Sequence, residues 1–325
     1  MFIHRFRSSR PRGTVLGHYV LMVNTPKVDD LPPIFTTNNL VDGVSPYASH
    51  RVEVRRLGYK IYALNRAEIS AEQKIHAFAQ SVESSVIAGP SASVIYGLRT
   101  PPEQQETTDV YLYTLNNKRV RRRGIKQLRG KLSQSEITED DSHCITTVER
   151  TFLDLGLMMS ARQLVYVADG LLPAAQRRRV SLTTKDSLLE YLQHKKNHRG
   201  KEVCLQALDL AAEGVDSVKE TELRLLLGEY GITELAVNPV IRDGCGRYVC
   251  EPDLADFARK ISIQYEGVHH TGLRQMRLDE ERRARTHIAG WVEVRIFAAD
   301  LYNFEYFRGA MIPKAVMKVL GARSS

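Results

Sequence analysis

Cysteine is scarce in this chain of 325 residues, and long apolar runs are missing. The four cysteines, Cys144, Cys204, Cys245 and Cys250, are too few and too scattered for a disulfide framework, and no second Cys or His pair completes a zinc site. No stretch approaches the ~20 apolar residues of a membrane-spanning helix. We therefore expect a cytoplasmic protein with reduced thiols and no membrane partner.

Acidic residues are fewer than basic residues: the chain has 38 Asp and Glu against 46 Lys and Arg, so its formal net charge is +8. Hydrophobic residues make up 43% of the chain, which excludes wholesale disorder. At roughly 100–200 residues per domain, the length predicts two or three domains. The basic excess is compatible with a nucleic-acid partner but does not establish one.

The first thirty residues carry several arginines ahead of a short apolar run at residues 15–23, which is the order of a secretion signal. Gly17, His18 and Tyr19 interrupt that run, and no convincing small-residue cleavage site follows it. We therefore expect residues 1–30 to form a disordered basic leader.

Residues 31–70 have the outline of a small winged-helix module. Ser45-Pro46 places a proline in the first helical position and predicts a helix that runs to Leu57. The alternation at residues 59–64 predicts a strand after it. This helix is either a recognition helix on DNA or the solvated basic face of a packing module. Its candidate DNA contacts are Arg51, Arg55 and Arg56.

A second α/β module is predicted over residues 81–172. The sequence indicates a strand at residues 86–88, a helix that starts at Gly89 and is closed by Gly97, and a strand at residues 110–115. Thr147 with Arg150 resembles the N-terminal cap of a buried helix. Residues 173–216 are expected to form a helical connector.

A basic segment over residues 118–131 contains eight basic residues and no acidic one. It either grips phosphate groups of a nucleic acid or is a solvated hairpin edge that charge protects from aggregation. The candidate phosphate contacts at its centre are Arg121, Arg122 and Arg123.

Two segments of this module resemble the AbiEi-type antitoxin family. Residues 88–98 are similar to its "SAAxLHGL" segment, and residues 146–155 to its "TxxxRTxxDL" segment. The likeness implies that the N-terminal winged helix represses its own promoter and that the middle domain mediates antitoxicity. It also implies a toxin as a partner, and a homodimer is the other partner that we consider.

The last third of the chain predicts the element order α-β-β-β-α-β over residues 217–307, and a C-terminal helix and tail over residues 308–325. The first helix covers residues 217–230 and the third strand residues 261–266. A charged helix covers residues 272–289, and a last strand follows it at residues 291–297.

Strand periodicity places candidate ligands together in this region. Gln264 and Glu266 are two residues apart on one strand and so point to the same face. Asp253 lies eleven positions before Gln264, across a tight connection, and Glu220 lies on a nearby helix. Such oxygen-rich pockets suit Mg²⁺ or Mn²⁺, which activate water for phosphodiester hydrolysis. We expect His269 or His270, at the end of this strand, to orient or deprotonate this water.

Each of these residues also has an interpretation without catalysis. Glu220 follows Ser217 by three residues, which is the spacing of a capping box. Asp253 fits a solvated strand-edge acid and Glu266 a turn acid, and either histidine fits a structural role. The run from Asp279 onward fits the solvated face of a helix.

Six segments in this region stand in an order that is typical of one superfamily. They are Glu220-Thr221-Glu222-Leu223-Arg224, Pro252-Asp253-Leu254, Gln264-Tyr265-Glu266-Gly267-Val268-His269-His270, Asp279 with Arg282 and Arg283, Gly290-Trp291-Val292-Glu293-Val294-Arg295, and Asp300-Leu301. Together they resemble the PD-(D/E)xK nucleases, and most closely the branch of very-short-patch-repair-like domains of unknown function.

This resemblance implies a restriction-endonuclease-like core that cleaves DNA with Mg²⁺ or Mn²⁺. Asp253 and Glu266 would bind the cation, Gln264 would be a weaker ligand, and Glu220 an outer acidic one. Gln264 departs from the family because an acidic residue usually stands there. The alternative is therefore a DNA-binding regulator that retains the nuclease fold without catalysis. Arg282 and Arg283 would be further contacts to the DNA backbone.

Overall fold

The computed structural model describes residues 32–36, 54–99, 101, 108–116, 118–140, 143–174, 181–267 and 273–322, and for residues 273–277 it describes the backbone alone. These residues form a mixed α/β structure, as the sequence predicts. The chain divides into two compact units, Met1–Ile69 and Ser70–Ser325. The predicted leader lies outside the described residues.

The first unit contains a three-stranded antiparallel sheet with the order β1-β3-β2. Its strands are β1 (Ile34–Thr36), β2 (Val54–Gly58) and β3 (Ile61–Leu64). A two-residue turn joins β2 to β3, and in it Lys60 adopts φ 61°. Phe35, Val54 and Leu64 form a small buried cluster on one side of this sheet.

The prediction that Arg55 and Arg56 lie on a recognition helix is wrong, because both residues lie on strand β2. β2 pairs along the apolar strand β3, and this pairing buries Val54 while the two arginines stay exposed. The side chain of Arg55 donates to the carbonyl oxygens of Asn65 and Ala67 at 2.7 and 2.9 Å. Arg51 lies outside the described residues.

The second unit begins with a five-stranded sheet of order β6-β5-β4-β8-β7 and the helices around it. The elements are α1 (Ala71–Gln80), β4 (Ser85–Ile87), α2 (Gly89–Ile95), β5 (Val110–Thr114), β6 (Ile125–Gln127), β7 (Ile137–Asp140), β8 (His143–Thr146), α3 (Val148–Leu155) and α4 (Ala161–Leu171). The predicted strands at residues 86–88 and 110–115 and the helix at Gly89 are confirmed. Thr147 is the N-cap of α3, as predicted, and its side chain accepts from the Arg150 N–H.

The basic segment forms no hairpin edge, because its strand β6 pairs with β5 in parallel. The chain therefore crosses over between the two strands. The Gln127 side chain closes this crossover by donating to Thr114 Oγ1 and accepting from the Val120 N–H. β6 is nevertheless an edge strand of the five-stranded sheet.

The connector predicted over residues 173–216 contains two described helices, α5 (Lys185–His194) and α6 (Lys201–Leu210). Both share an apolar core with α3 and α4. A Cβ at Gly156 would lie 2.6 Å from the carbonyl oxygen of Gly200, so glycine permits the close approach of α3 and α6 there.

The remaining elements surround a four-stranded sheet of order β14-β13-β12-β9. They are α7 (Val218–Glu229), β9 (Ala236–Val237), β10 (Ile241–Arg242), β11 (Tyr248–Cys250), β12 (Leu254–Asp256), β13 (Ile261–Glu266), α8 (Leu273–Ile288), β14 (Val292–Phe297), α9 (Ala298–Tyr302), β15 (Phe304–Phe307), β16 (Ala310–Pro313) and α10 (Lys314–Ala322). β13 and β14 are parallel, and helix α8 connects them. The predicted helix at residues 217–230 and strand at residues 261–266 are confirmed.

Two details of this region differ from the prediction. The second strand of the predicted order, which precedes the strand at residues 261–266, divides into β11 and β12, because β10 and β11 form a separate two-stranded sheet with its own core around Trp291. A short helix and the hairpin β15–β16 precede the C-terminal helix α10, which buries Ala315, Val316 and Val319 against the four-stranded sheet. Among the described residues, no helix has both the length and the apolar composition needed to cross a bilayer.

Candidate functional site

The antiparallel pairing of β12 with β13 brings Asp253 beside Gln264. Leu254 stands opposite Ile263 in the register, so the preceding Asp253 meets the residue that follows Ile263. The connection between the strands is tight because Lys260 adopts φ 51° and Asp256 accepts a hydrogen bond from the Arg259 N–H. This is the neighbourhood that the sequence spacing predicts.

The Asp253 carboxylate accepts two hydrogen bonds from strand β13. The Gln264 side-chain amide donates to Oδ1 at 3.2 Å, and the Tyr265 N–H donates to Oδ2 at 2.6 Å. Burial raises the pKa of Asp253 to about 7, and the nearby carboxylates of Glu220 and Glu266 act in the same direction. The site around Asp253 therefore disfavours one more negative charge, and a cation would relieve this repulsion.

Glu220 lies at the start of α7 and is 7% exposed. Ser217 is the N-cap of this helix, and its hydroxyl accepts from the Glu220 N–H at 3.1 Å. The Glu220 carboxylate accepts from the Asp216 N–H at 2.9 Å and from the Asn238 side chain at 2.8 Å. Asn238 also donates its backbone N–H to the Asp253 carbonyl oxygen, so it ties the helix start to the strand that holds Asp253.

Glu266 lies at the end of β13 and faces two arginines. Its Oε1 atom is 3.7 Å from Arg282 on α8 and 3.5 Å from Arg295 on β14. The parallel pairing of β13 with β14 explains the second contact, because it aligns the ends of these strands. Glu266 is therefore the counterion of two guanidinium groups as well as a carboxylate near Asp253.

These side chains line one cleft with a volume of about 730 Å³. Its lining residues are Ser217, Lys219, Glu220, Asp253, Tyr265, Glu266, Gly267, Asp279, Arg282, Arg295 and Phe297. The cleft combines the three predicted carboxylates with three basic side chains. Gln264 reaches this site through its hydrogen bond to Asp253 and is not one of the lining residues.

The oxygen atoms of this cleft suit a cation that keeps most of its water ligands better than a cation coordinated by protein atoms alone. No group of three His, Cys, Asp or Glu side chains arranged to hold a metal ion occurs in the described part of the chain. Mg²⁺ commonly uses one or two carboxylates and keeps several waters. Asp253 and Glu266 fit that requirement, since Glu266 Oε1 is buried without a hydrogen-bond donor among the described residues.

The predicted DNA contacts have different surroundings. Arg121 and Arg123 are exposed, whereas Arg122 donates to the Ser81 carbonyl oxygen at 2.7 Å. Arg283 on α8 lies 3.6 Å from Glu293. His269 and His270, the predicted water-positioning residues, lie outside the described residues, as does Arg51.

Sequence reasoning missed three residues of the site as participants. Arg295 and Glu293 are two residues apart on a predicted strand, so the sequence alone places their side chains on the same face of the sheet. Asn238 adopts φ 45°, a conformation that asparagine tolerates better than most residues, but its partners are distant in sequence.

A second buried polar cluster lies outside this cleft. Arg150 donates to Asp154 at 2.9 Å, to Glu136 at 2.8 Å and to the Tyr113 hydroxyl at 2.7 Å. The Tyr191 hydroxyl on α5 donates to Glu136 as well. The cluster joins the five-stranded sheet to α3 and α5 and is a structural centre of this region.

No family model, curated protein or solved structure matches this chain.

Proposed function

We propose that this protein is a metal-dependent endonuclease that hydrolyses phosphodiester bonds in DNA. The observation that carries the proposal is the convergence of Glu220, Asp253 and Glu266 on one cleft next to arginine side chains. The element order of the C-terminal region supports it, because α7 precedes the antiparallel strands β9, β12 and β13 of the four-stranded sheet, with β10 and β11 inserted between β9 and β12, and the α8 crossover leads to the parallel strand β14. This is the order expected of a restriction-endonuclease-like core.

In this proposal, Asp253 and Glu266 hold a hydrated Mg²⁺ or Mn²⁺. The bound cation supplies a more acidic water and stabilises negative charge on the phosphate. The Tyr265 N–H and the Gln264 side chain orient the Asp253 carboxylate by hydrogen bonds. Gln264 would also be a weaker ligand of the cation, as the resemblance to PD-(D/E)xK nucleases implies. Glu220 keeps the surroundings of Asp253 negative, and His269 or His270 is assigned to the attacking water.

The remaining parts of the proposal concern architecture and binding. A winged-helix-like module at residues 31–70 and the basic segment at residues 118–131 are proposed to add affinity for DNA through phosphate contacts. The four cysteines are free thiols, which agrees with a reducing cytoplasmic location.

The second candidate function is a DNA-binding regulator without catalysis, similar to an antitoxin. One observation favours it: Gln264 supplies an amide where a carboxylate is expected, and Arg282 and Arg295 compensate the charge of Glu266. A toxin or a second copy of the chain would be its partner. A neighbouring gene that encodes a nucleotidyltransferase-type toxin would favour this alternative.

Cleavage assays separate the two candidates. Purified protein is incubated with plasmid, single-stranded and mismatched DNA in Mg²⁺, in Mn²⁺ and in EDTA. The nuclease proposal expects cleavage that EDTA abolishes and that Asp253→Asn lowers by at least roughly a hundredfold, since the direct ligand of the cation is lost. Asp209→Asn, an exposed change of the same kind on α6, should leave cleavage intact. Full activity of Asp253→Asn, or in EDTA, would refute the metal-dependent mechanism, and inert wild-type protein would favour the regulator.

A further inference from the structure

Three buried polar atoms in the cleft lack a hydrogen-bond partner among the described residues. They are Oε1 of Glu266, Nε of Arg282 and Nη2 of Arg295. Buried polar groups in folded proteins nearly always have a partner, because an unmet donor or acceptor keeps its full desolvation cost. Two of these atoms are guanidinium donors, and both guanidinium groups approach the Glu266 carboxylate through other nitrogens, at 3.7 and 3.5 Å. An anion with several oxygens is the partner that guanidinium donors match best.

The contacts of Arg282 are attractive but too long for hydrogen bonds. Its Nη2 atom lies 3.7 Å from Glu266, 3.8 Å from Glu293 and 4.0 Å from Asp279. Hydrogen bonds between nitrogen and oxygen fall at about 2.7–3.2 Å. Arg282 is thus placed by charge among three carboxylates while its Nε donor remains unused by them.

Arg295 makes one short hydrogen bond, and one of its nitrogen atoms has no hydrogen-bond partner among the described residues. Its Nε donates to Glu293 at 2.7 Å, which fixes the plane of the guanidinium group. Its Nη1 atom lies 3.5 Å from Glu266, and its Nη2 atom is the unpartnered one. Glu293 therefore orients Arg295, while the buried Nη2 atom keeps no hydrogen-bond partner among the described residues.

We infer that Arg282 and Arg295 together bind one phosphate group in this cleft, and that Glu266 is the counterion which the phosphate displaces. Paired guanidinium groups match the several oxygens of a phosphate and donate short, charge-assisted hydrogen bonds. The inference deepens the proposed function by naming the groups that hold the substrate's phosphate. The binding itself requires neither a cation nor cleavage.

The layout of charge along the cleft fits this assignment. Glu220 and Asp253 supply carboxylates to the cleft, Arg282 and Arg295 supply guanidinium groups, and Glu266 is close to both sets, since it acts on the pKa of Asp253 and lies 3.7 and 3.5 Å from the two arginines. Divalent cations such as Mg²⁺ are often bound by one or two carboxylates together with a substrate phosphate. If a phosphate replaces Glu266 as the partner of the two arginines, the Glu266 carboxylate becomes free to bind a cation together with Asp253.

The test measures binding without any metal. A fluorescein-labelled oligothymidylate is titrated with wild-type protein and with Arg282→Gln, Arg295→Gln, Glu266→Gln and Arg285→Gln in EDTA, and binding is followed by anisotropy. Arg282→Gln and Arg295→Gln should each bind at least about tenfold more weakly, since each removes charge-assisted hydrogen bonds. Glu266→Gln should bind several-fold more tightly, because it removes the competing carboxylate. Arg285→Gln is the control on α8, with the same loss of charge at an exposed arginine that does not line the cleft and whose Nε donates to the Val249 carbonyl oxygen.

The size of the Glu266→Gln effect is compared with that of Glu280→Gln, an exposed carboxylate on α8, because neutralising any carboxylate strengthens DNA binding somewhat through long-range attraction. The inference is overturned if Glu266→Gln binds no more tightly than Glu280→Gln, or if both arginine variants bind like Arg285→Gln. Arg282→Lys and Arg295→Lys guard against misfolding, since each keeps the charge but loses the planar fork and should fall between wild type and the Gln variant.

Two further comparisons identify the source of the phosphate and separate this inference from the proposed function. Inorganic phosphate that competes with the oligonucleotide on wild-type protein shows that the free anion suffices. Failure to compete, with the arginine dependence retained, assigns the site to the nucleic-acid backbone. Arginine-dependent binding by a protein that never cleaves would support the inference and refute the nuclease proposal. Cleavage that is insensitive to both arginines would do the reverse.

Discussion

The side-chain amide of Gln264 donates a hydrogen bond to Oδ1 of Asp253 at 3.2 Å. This contact satisfies one oxygen of a carboxylate that is buried and surrounded by further carboxylates. A glutamate at position 264 could not donate it while ionised. Gln264, which stands where the resemblance to PD-(D/E)xK nucleases expects an acidic residue, thus helps to stabilise the Asp253 carboxylate by hydrogen bonding.

Gln264→Glu tests that relationship. We expect the variant to be less stable than wild type in EDTA at pH 8, because two carboxylates would then meet at hydrogen-bond distance. We also expect Mg²⁺ or Mn²⁺ to stabilise the variant more than it stabilises wild type, because a third negative charge joins the site. Melting temperatures with and without metal measure both effects. A variant whose stability is unchanged in EDTA would show that Gln264 has no such role.

The raised pKa of Asp253 predicts a pH dependence of stability for the metal-free protein. The pKa of the buried carboxyl is about 7 in the folded chain and 3.8 ordinarily, so the folded state holds more protons between these values. Stability should therefore fall as the pH rises through this window. Asp253→Asn should remove this part of the slope, whereas the exposed Asp209→Asn should keep it. Denaturant unfolding at pH 4, 5.5 and 8 in EDTA measures the slope, and equal slopes for wild type and Asp253→Asn would contradict the prediction.

The buried cluster around Arg150 predicts the opposite pH dependence. Burial raises the pKa of Glu136, but hydrogen bonds from Tyr191, the Ser133 N–H, Lys195 and Arg150 outweigh it and hold the pKa well below its ordinary value of 4.5. The ionised Glu136 therefore stabilises the fold above pH 4.5, and this contribution declines as the pH falls below that value.

Glu136→Gln measures this contribution. We expect a loss of roughly 3–5 kcal/mol at neutral pH, the usual cost of removing one partner from a buried ion pair. The difference from wild type should shrink below about pH 4. Glu139→Gln, an exposed change of the same kind on β7, is the control and should cost little. A pH-independent difference would mean that packing rather than charge explains the effect.

The exposed arginines of the basic segment predict a salt effect on DNA binding. Each phosphate contact contributes a slope of roughly −0.9 to the plot of log affinity against log salt for duplex DNA. Arg121→Ala with Arg123→Ala should flatten this slope if both residues contact phosphates. Arg122→Ala is a different case, because Arg122 already donates to the Ser81 carbonyl oxygen and its loss should affect stability too. An unchanged slope in the double variant would leave the segment as a charged edge of the sheet.

Local sequence patterns determined much of the secondary structure. Ser217 and Thr147 mark the starts of α7 and α3 because each side chain satisfies an N–H that the helix leaves unpaired. The apolar alternation of β13 and the spacing back to Asp253 also predicted which side chains meet, since strand periodicity and a tight turn act over a few residues. The same local logic failed at residues 54–58, where pairing with β3 decides the conformation of two arginines that also suit a helix.

Only the tertiary structure decided the electrostatics of the site. Arg282 and Arg295 reach Glu266 because the α8 crossover returns the chain to a strand parallel to β13. Asn238 joins Glu220 to the strand of Asp253 across distances in sequence that no periodicity spans. Charge interactions depend on distance and burial in space, so the sequence predicted the carboxylates and named Arg282 as a DNA contact, but it did not predict that Arg282 and Arg295 face Glu266.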